Sequence, residues 1–174
     1  MSTKMRPAVS HPNKTQLSAP ASPEGTLYQW EQWSLVLPEL APLFKRYFAE
    51  LGPTAEGLEL DPDWRRYFEY ERSDILKVWT ARAPHIIGFV LCLLTRPMHY
   101  DALYCFSDTV YLAPEWRKGL RGYRMVKRLL SALEGMNVKA FRFETNAAFD
   151  PRVELLLKRL EFAPAGLVLQ RMFQ

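Results

Sequence analysis

The feature that most limits the folds open to this chain is "DTVYLAPEWRKGLRGYRMVKRLLSALEG" (residues 108–135), followed by "VKAFRFET" (residues 138–145). A run of β-branched and aromatic residues passes through a proline into a helical apolar pattern, and a second strand-like run follows. Strand, helix and strand in that order imply a parallel pair joined by a right-handed crossover. The helix stripe is read as Leu120, Tyr123, Val126, Leu130 and Leu133. A parallel pair needs other strands and helices to cover it, which places the chain among α/β or α+β folds with a mixed sheet.

The rest of the chain supplies those elements. "LYQWEQWSLV" (residues 27–36) reads as a first strand, and "PELAPLFKRYFAELG" as a helix opened by Pro38 and stopped by Gly52-Pro53. A second helix starts in "DPDWRRYFEYER", with Asp61 as its cap and Pro62 in first position. Three strands follow, at residues 75–82, 86–95 and 103–113. A helix at residues 151–160, capped by Asp150, and a last strand at residues 166–173 close the order. With 174 residues, 48% of them hydrophobic, one domain over residues 26–174 is expected. Residues 1–25 hold four prolines and no apolar periodicity, which reads as a flexible arm able to order on a partner.

Charge is concentrated where the helix begins. Between Glu115 and Arg128, six cations (Arg117, Lys118, Arg121, Arg124, Lys127 and Arg128) stand against one anion, in a chain whose net charge is only +4. So local a patch fits a specific anionic ligand better than a chain-wide polyanion binder. Helix N-termini ordinarily carry acids, because unpaired N–H groups and the helix dipole favour negative charge there. Cations at that place destabilise the helix until an anion arrives, and Gly119 and Gly122 let a ligand approach the backbone. A diphosphate suits such a cradle. The P-loop pattern is absent. Nucleic-acid binding through Arg121, Arg124, Lys127 and Arg128 is the competing reading, without any DNA or RNA signature to support it.

Other function classes lose ground on composition. Cys92 and Cys105 lie in apolar segments and read as small core residues in a reducing, cytoplasmic setting. Neither pairs with His11, His85 or His99 at a metal-ligand spacing, so no metal is expected. The longest apolar run, "IIGFVLCLL", is too short to span a bilayer, and the polar N-terminus lacks a signal-peptide core.

The element order and "DTVYLAPEWRKGLRGYRMVKRLL" together resemble the GNAT superfamily of N-acetyltransferases. The likeness is nearest to a branch common in tailed-phage genomes, with "DPDW" at Asp61–Trp64, "HY" at His99-Tyr100 and "D-x-x-Y-L-x-P-E-x-R-x-G" at Asp108–Gly119. The resemblance covers nearly everything after residue 27. It implies a GNAT-like mixed central sheet flanked by helices, in which a splayed strand pair forms a cleft for acetyl-CoA. It also implies that the backbone of Tyr111, Leu112 and Ala113 pairs with the pantetheine arm after a β-bulge. Arg117 takes the family's arginine position, and amides from Lys118 through Gly119, Leu120, Arg121 and Gly122 to Tyr123 wrap the pyrophosphate. The acceptor would be an amine of a small molecule or protein, and members often pair as homo-oligomers.

The loop departs from the family's R/Q-x-x-G-x-G/A pattern. Leu120 stands where glycine is usual, Leu157 where many members have a proton-donating tyrosine, and Glu161 where glycine follows. Leucine donates no proton, so either another group serves or turnover is absent. The second case gives a binding or structural protein, such as a virion component using the N-terminal arm. Acetyl transfer to an amine needs a base, an oxyanion donor and an acid for the thiolate. Asp108 and His99 are the candidate bases. Tyr100, Tyr104 and Tyr111 are the candidate phenolic acids, and the strand amides near Leu112 the oxyanion donors. Asp108 is equally readable as a group paired within the sheet, His99 as a loop histidine, and Glu144 as a partner of Arg142 or Lys139.

Overall fold

The computed structural model describes residues 25–51, 61–144 and 151–166. Apart from Gly25 and Gly166, the expected N-terminal arm and last strand lie outside these residues, as do the Gly52-Pro53 stop and the Asp150 cap. Five strands form one sheet in sequence order: β1 (Leu27–Glu31), β2 (Leu76–Arg82), β3 (Ile86–Thr95), β4 (Leu103–Leu112) and β5 (Val138–Arg142). The first four pair antiparallel, and β4 pairs β5 parallel. Helices α1 (Trp33–Leu51) and α2 (Trp64–Arg72) cover one face, while α3 (Arg121–Gly135) covers the other. The expected mixed sheet and crossover are present. A fourth helix, α4 (Pro151–Arg159), follows β5.

Three boundaries differ from the sequence reading. The first strand stops at Glu31, and α1 begins at Trp33, ahead of Pro38, so Pro38 and Pro42 sit inside the helix. Trp33, Val36, Leu40, Leu43 and Phe44 are all buried at helical spacing. Burying Val36 alone contributes roughly 1.5–3 kcal/mol. That is comparable with the roughly 3 kcal/mol an interior proline costs, and Trp33 adds to it. The cap of α2 is Asp63, whose Oδ1 accepts from Arg66 N–H at 3.1 Å, not Asp61. The helix α3 begins at Arg121, leaving Leu120 outside it, and its buried stripe is Met125, Val126, Leu129 and Leu133.

Phe89, wholly buried in the centre of β3, packs its ring against Phe44 at 4.9 Å and Tyr111 at 5.9 Å, joining α1 to β4. One residue earlier the strands approach too closely for a side chain. A Cβ on Gly88 would lie 2.8 Å from the Tyr111 carbonyl oxygen and 2.9 Å from Leu112 Cδ1. Gly88→Ala is therefore expected to lower unfolding free energy by about 1–3 kcal/mol, read as a shifted urea midpoint at unchanged slope.

Candidate functional site

The site is built on a break in the regular ladder of β4. Cys92 faces Ser107 and Leu91 faces Thr109 across the β3–β4 pair, so Asp108 is an extra residue with no partner on β3. A bulge of this kind changes which alternate residues turn their backbone groups outward. Beyond it, Ala113 N–H donates to the Ile87 carbonyl at 2.8 Å, which fixes the phase of the antiparallel bonding. By alternation Tyr111 and Ala113 are bonded to β3, while Val110 and Leu112 point their N–H and C=O groups to the other edge.

That other edge opens. The parallel pairing with β5 runs from Leu103 to Phe106 and ends at Arg142, so β4 continues past its partner among the described residues. Ser107 Oγ still reaches the Arg142 carbonyl, at 3.4 Å. From Asp108 onward this edge of β4 pairs with no other strand among the described residues. The backbone groups turned to it are those of Val110 and Leu112, whereas the resemblance implies Tyr111, Leu112 and Ala113. Only Leu112 of the three expected residues turns that way.

That edge leads directly to the start of α3. Ala113 precedes one 3₁₀ turn, Pro114–Trp116, and the chain then crosses Arg117, Lys118, Gly119 and Leu120 to the helix. Gly119 has φ +67, a left-handed conformation that side chains disfavour, and a Cβ there would meet nothing within 4 Å. Glycine is set here by backbone geometry, not by crowding. No side chain caps α3 at Leu120, and its first turn contains no acid. The first hydrogen bond into the helix is Arg124 N–H to the Leu120 carbonyl, 2.8 Å, so the preceding N–H groups through Gly122 and Tyr123 face out of the helix end.

The cations divide by role. Lys118 is exposed, the Arg121 guanidinium lies over the Trp116 ring at 5.2 Å, and Lys127 lies over Tyr123 at 5.7 Å. Arg117 turns back instead: its Nε donates to the Leu112 carbonyl at 2.6 Å and its Nη2 to Glu50 Oε2 at 2.5 Å.

Behind the bulge lie an acid and three phenols. Asp108 is reached by solvent yet set deep among protein atoms. That desolvation pushes its carboxyl pKa above the ordinary value, opposed by the Thr109 hydroxyl, which donates to Oδ2 at 3.1 Å. Tyr67 of α2 is pushed up to about 12, by burial first and then by the charge of Asp108. Burial also raises Tyr47 of α1, against a hydrogen bond with Thr109, and Asp108 raises it further. Tyr111 is pushed up to about 12 by burial and by Glu50, whose Oε1 accepts its hydroxyl at 2.9 Å. All three therefore hold their protons at neutral pH.

Sequence reasoning missed Tyr47 and Tyr67. In the sequence Tyr47 stands at helical spacing with Leu40, Leu43 and Phe44, and a phenol among such apolar residues is the available signal.

The structure does not bring His99 and Tyr100 to this place. Both are exposed in the turn between β3 and β4, ahead of Leu103, which is itself about 17 Å from Asp108 at 3.3 Å per residue. Tyr104 lies near β5, under the Arg142 guanidinium at 5.6 Å, and Glu144 is exposed just past β5. Cys92 and Cys105 are buried side by side, and the Cys105 thiol together with burial raises the Cys92 thiol well above its ordinary value. A buried, protonated thiol is not a nucleophile.

No protein-family model and no curated protein sequence matches the chain. Solved structures do. An aminoglycoside acetyltransferase from an uncultured soil metagenomic sample, in complex with sisomicin, superposes with a TM-score of 0.67 at 9% identity, over 86% of this chain and 95% of that one. A ribosomal-protein-alanine N-acetyltransferase from Brucella melitensis biovar Abortus 2308 gives 0.64 at 14% identity, over 84% and 99%. A predicted acetyltransferase with acetyl-CoA from Clostridium acetobutylicum gives 0.63 at 16% identity, over 84% and 96%. The mixed sheet flanked by helices is thus the fold of these solved acetyltransferases, and it is the architecture that the sequence resemblance implied.

Proposed function

We propose that the protein is an N-acetyltransferase that takes its acetyl group from acetyl-CoA and passes it to an amine of a small molecule or a protein. One coincidence carries this reading. An open strand edge runs directly into an uncapped, acid-free helix N-terminus, within a fold shared with solved acetyltransferases. The edge suits the amides of a pantetheine arm, which would add to β4 as a short strand at Val110 and Leu112. The outward N–H groups from Lys118 to Tyr123 suit the pyrophosphate, helped by the helix dipole and the Lys118 charge.

The cofactor supplies an activated acyl group as a thioester. This chain's residues do the rest. Asp108, whose carboxyl burial makes a stronger base than an ordinary aspartate, accepts a proton from the attacking amine directly or through water. The outward N–H groups of β4 beside the bulge stabilise negative charge on the carbonyl oxygen. Tyr67, Tyr47 or Tyr111 offers a protonated phenol to the departing sulfur, the task for which the sequence of α4 has no tyrosine. His99 and Tyr100 are left out of this chemistry by their distance along β4.

Leu157 supports a second reading, a protein that binds acetyl-CoA without turning it over. Following free thiol release from acetyl-CoA over a panel of amines separates the two. Release that depends on an amine supports the transferase. Tight binding with no release for any amine supports the second reading, and absence of binding removes both. The narrower likeness to the tailed-phage branch, with virion proteins as partners of the N-terminal arm, rests on sequence motifs alone.

A further inference from the structure

We infer that Arg117 and Glu50 form a latch that holds the β4–α3 loop on α1 in its anion-binding shape, which makes both of them positioning residues. The inference rests on the acetyl-CoA reading of the site and deepens it.

The guanidinium is held by protein groups at two of its nitrogens, although the side chain is 38% exposed. Nε bonds the Leu112 carbonyl at 2.6 Å, Nη2 bonds Glu50 Oε2 at 2.5 Å, and the plane lies over the Tyr111 ring at 5.5 Å. Glu50 in turn accepts the Tyr111 hydroxyl through its other oxygen, at 2.9 Å. Four groups from three segments, α1, β4 and the loop, are closed into one network. The two Glu50 bonds tie the network to α1, while the Leu112 carbonyl belongs to the edge of β4 that faces away from β3.

A second pair repeats the connection with the charges exchanged. Arg46, one helical turn before Glu50, donates to both carboxylate oxygens of Glu115 at 3.0 and 2.6 Å. That guanidinium pulls Glu115 down to about 2. Helix α1 thus offers a cation and then an anion, and the loop answers with an anion and then a cation. Reversing the loop would bring like charges together, Arg46 to Arg117 and Glu50 to Glu115, so the pairs fix its direction as well as its position. Isolated surface ion pairs contribute little, but a network with shared carbonyl and phenol partners is a different case.

The latch and simple electrostatics predict opposite signs. Glu50 and Glu115 are negative charges near a proposed anion site, so neutralising either should tighten acetyl-CoA binding if charge alone matters. If the carboxylates hold the loop, neutralising them lowers the fraction of molecules in the competent shape, and apparent affinity falls by that fraction.

The test is calorimetric titration of acetyl-CoA into the wild type, Glu50→Gln, Glu115→Gln, Arg117→Ala and the Glu50→Gln/Arg117→Ala double variant. Amide hydrogen exchange is followed over residues 114–122. We expect Glu50→Gln to weaken binding about tenfold, Glu115→Gln to weaken it in the same direction, and loop exchange to speed up in both. The double variant should bind no worse than Arg117→Ala alone, since one latch cannot be opened twice. Tighter or unchanged binding in Glu50→Gln overturns the latch, as does additive loss in the double variant. No binding by the wild type would refute the acetyl-CoA reading itself, and the latch with it.

Discussion

Gly122→Glu is expected to abolish most acetyl-CoA binding while making the protein more stable. Gly122 is the second residue of α3, and a Cβ there would meet Leu156 Cδ1 at 3.5 Å and Leu112 Cδ2 at 3.8 Å, both ordinary contacts. Replacing a helical glycine gains about 0.5–1 kcal/mol. A carboxylate at a helix N-terminus adds about 0.3–1 kcal/mol. Melting temperature should therefore rise by about 2–4 °C or slightly more. The same carboxylate stands where the diphosphate would sit and removes one or two charge-assisted bonds, each about 1.5–3 kcal/mol. Affinity should fall about 100-fold or more. The opposite signs matter, because a merely damaged protein would lose both properties. Calorimetric titration and a thermal scan on one preparation read both.

Asp108→Asn carries the second large effect. Losing the general base should lower kcat about 10²–10⁴-fold with little change in KM for acetyl-CoA. Stability should move the other way. Burial raises the folded-state pKa of Asp108 above its unfolded value. The group's contribution to stability is therefore complete below the unfolded pKa and is lost as pH rises through the folded one. At neutral pH the wild type bears a charge the fold disfavours, and asparagine does not. The variant should melt no lower than wild type at neutral pH, and the comparison should turn toward wild type on acidification below the ordinary aspartate range. Thermal scans across pH, set beside the rate measurements, check both halves. A stable variant with full activity would remove Asp108 from the chemistry.

The parts of this protein legible in its sequence are those set by local pattern. The crossover through α3, the three long strands and the cation-rich turn with Gly119 all follow from periodicity and turn chemistry within a few residues. The bulge at Asp108 did not show itself at a position, because a bulge is defined by what lies opposite, and Leu91 and Cys92 are nearly twenty residues away. Past that extra residue Val110 and Leu112 turn their backbone groups away from β3, so of Tyr111, Leu112 and Ala113 only Leu112 does so. The start of α1 was hidden by Pro38, a good helix opener that here is overridden by the burial of Trp33 and Val36. Glu50, Tyr47 and Tyr67 join the site only because α1 and α2 pack on the face to which Tyr111 points, a tertiary fact with no local signature. Conversely, His99 looked chemical on its own and proves distant, since it stands before β4 rather than along it.

Residue-resolved amide hydrogen exchange, with and without acetyl-CoA, tests the central claim most directly. In the free protein the Val110 and Leu112 amides should exchange fast and those of Tyr111 and Ala113 slowly, because only the latter pair is bonded to β3. Added acetyl-CoA should slow Val110, Leu112 and the amides from Lys118 to Tyr123. Protection that appears elsewhere, or a free protein in which Val110 and Leu112 are already protected, would contradict an open edge feeding an anion cradle.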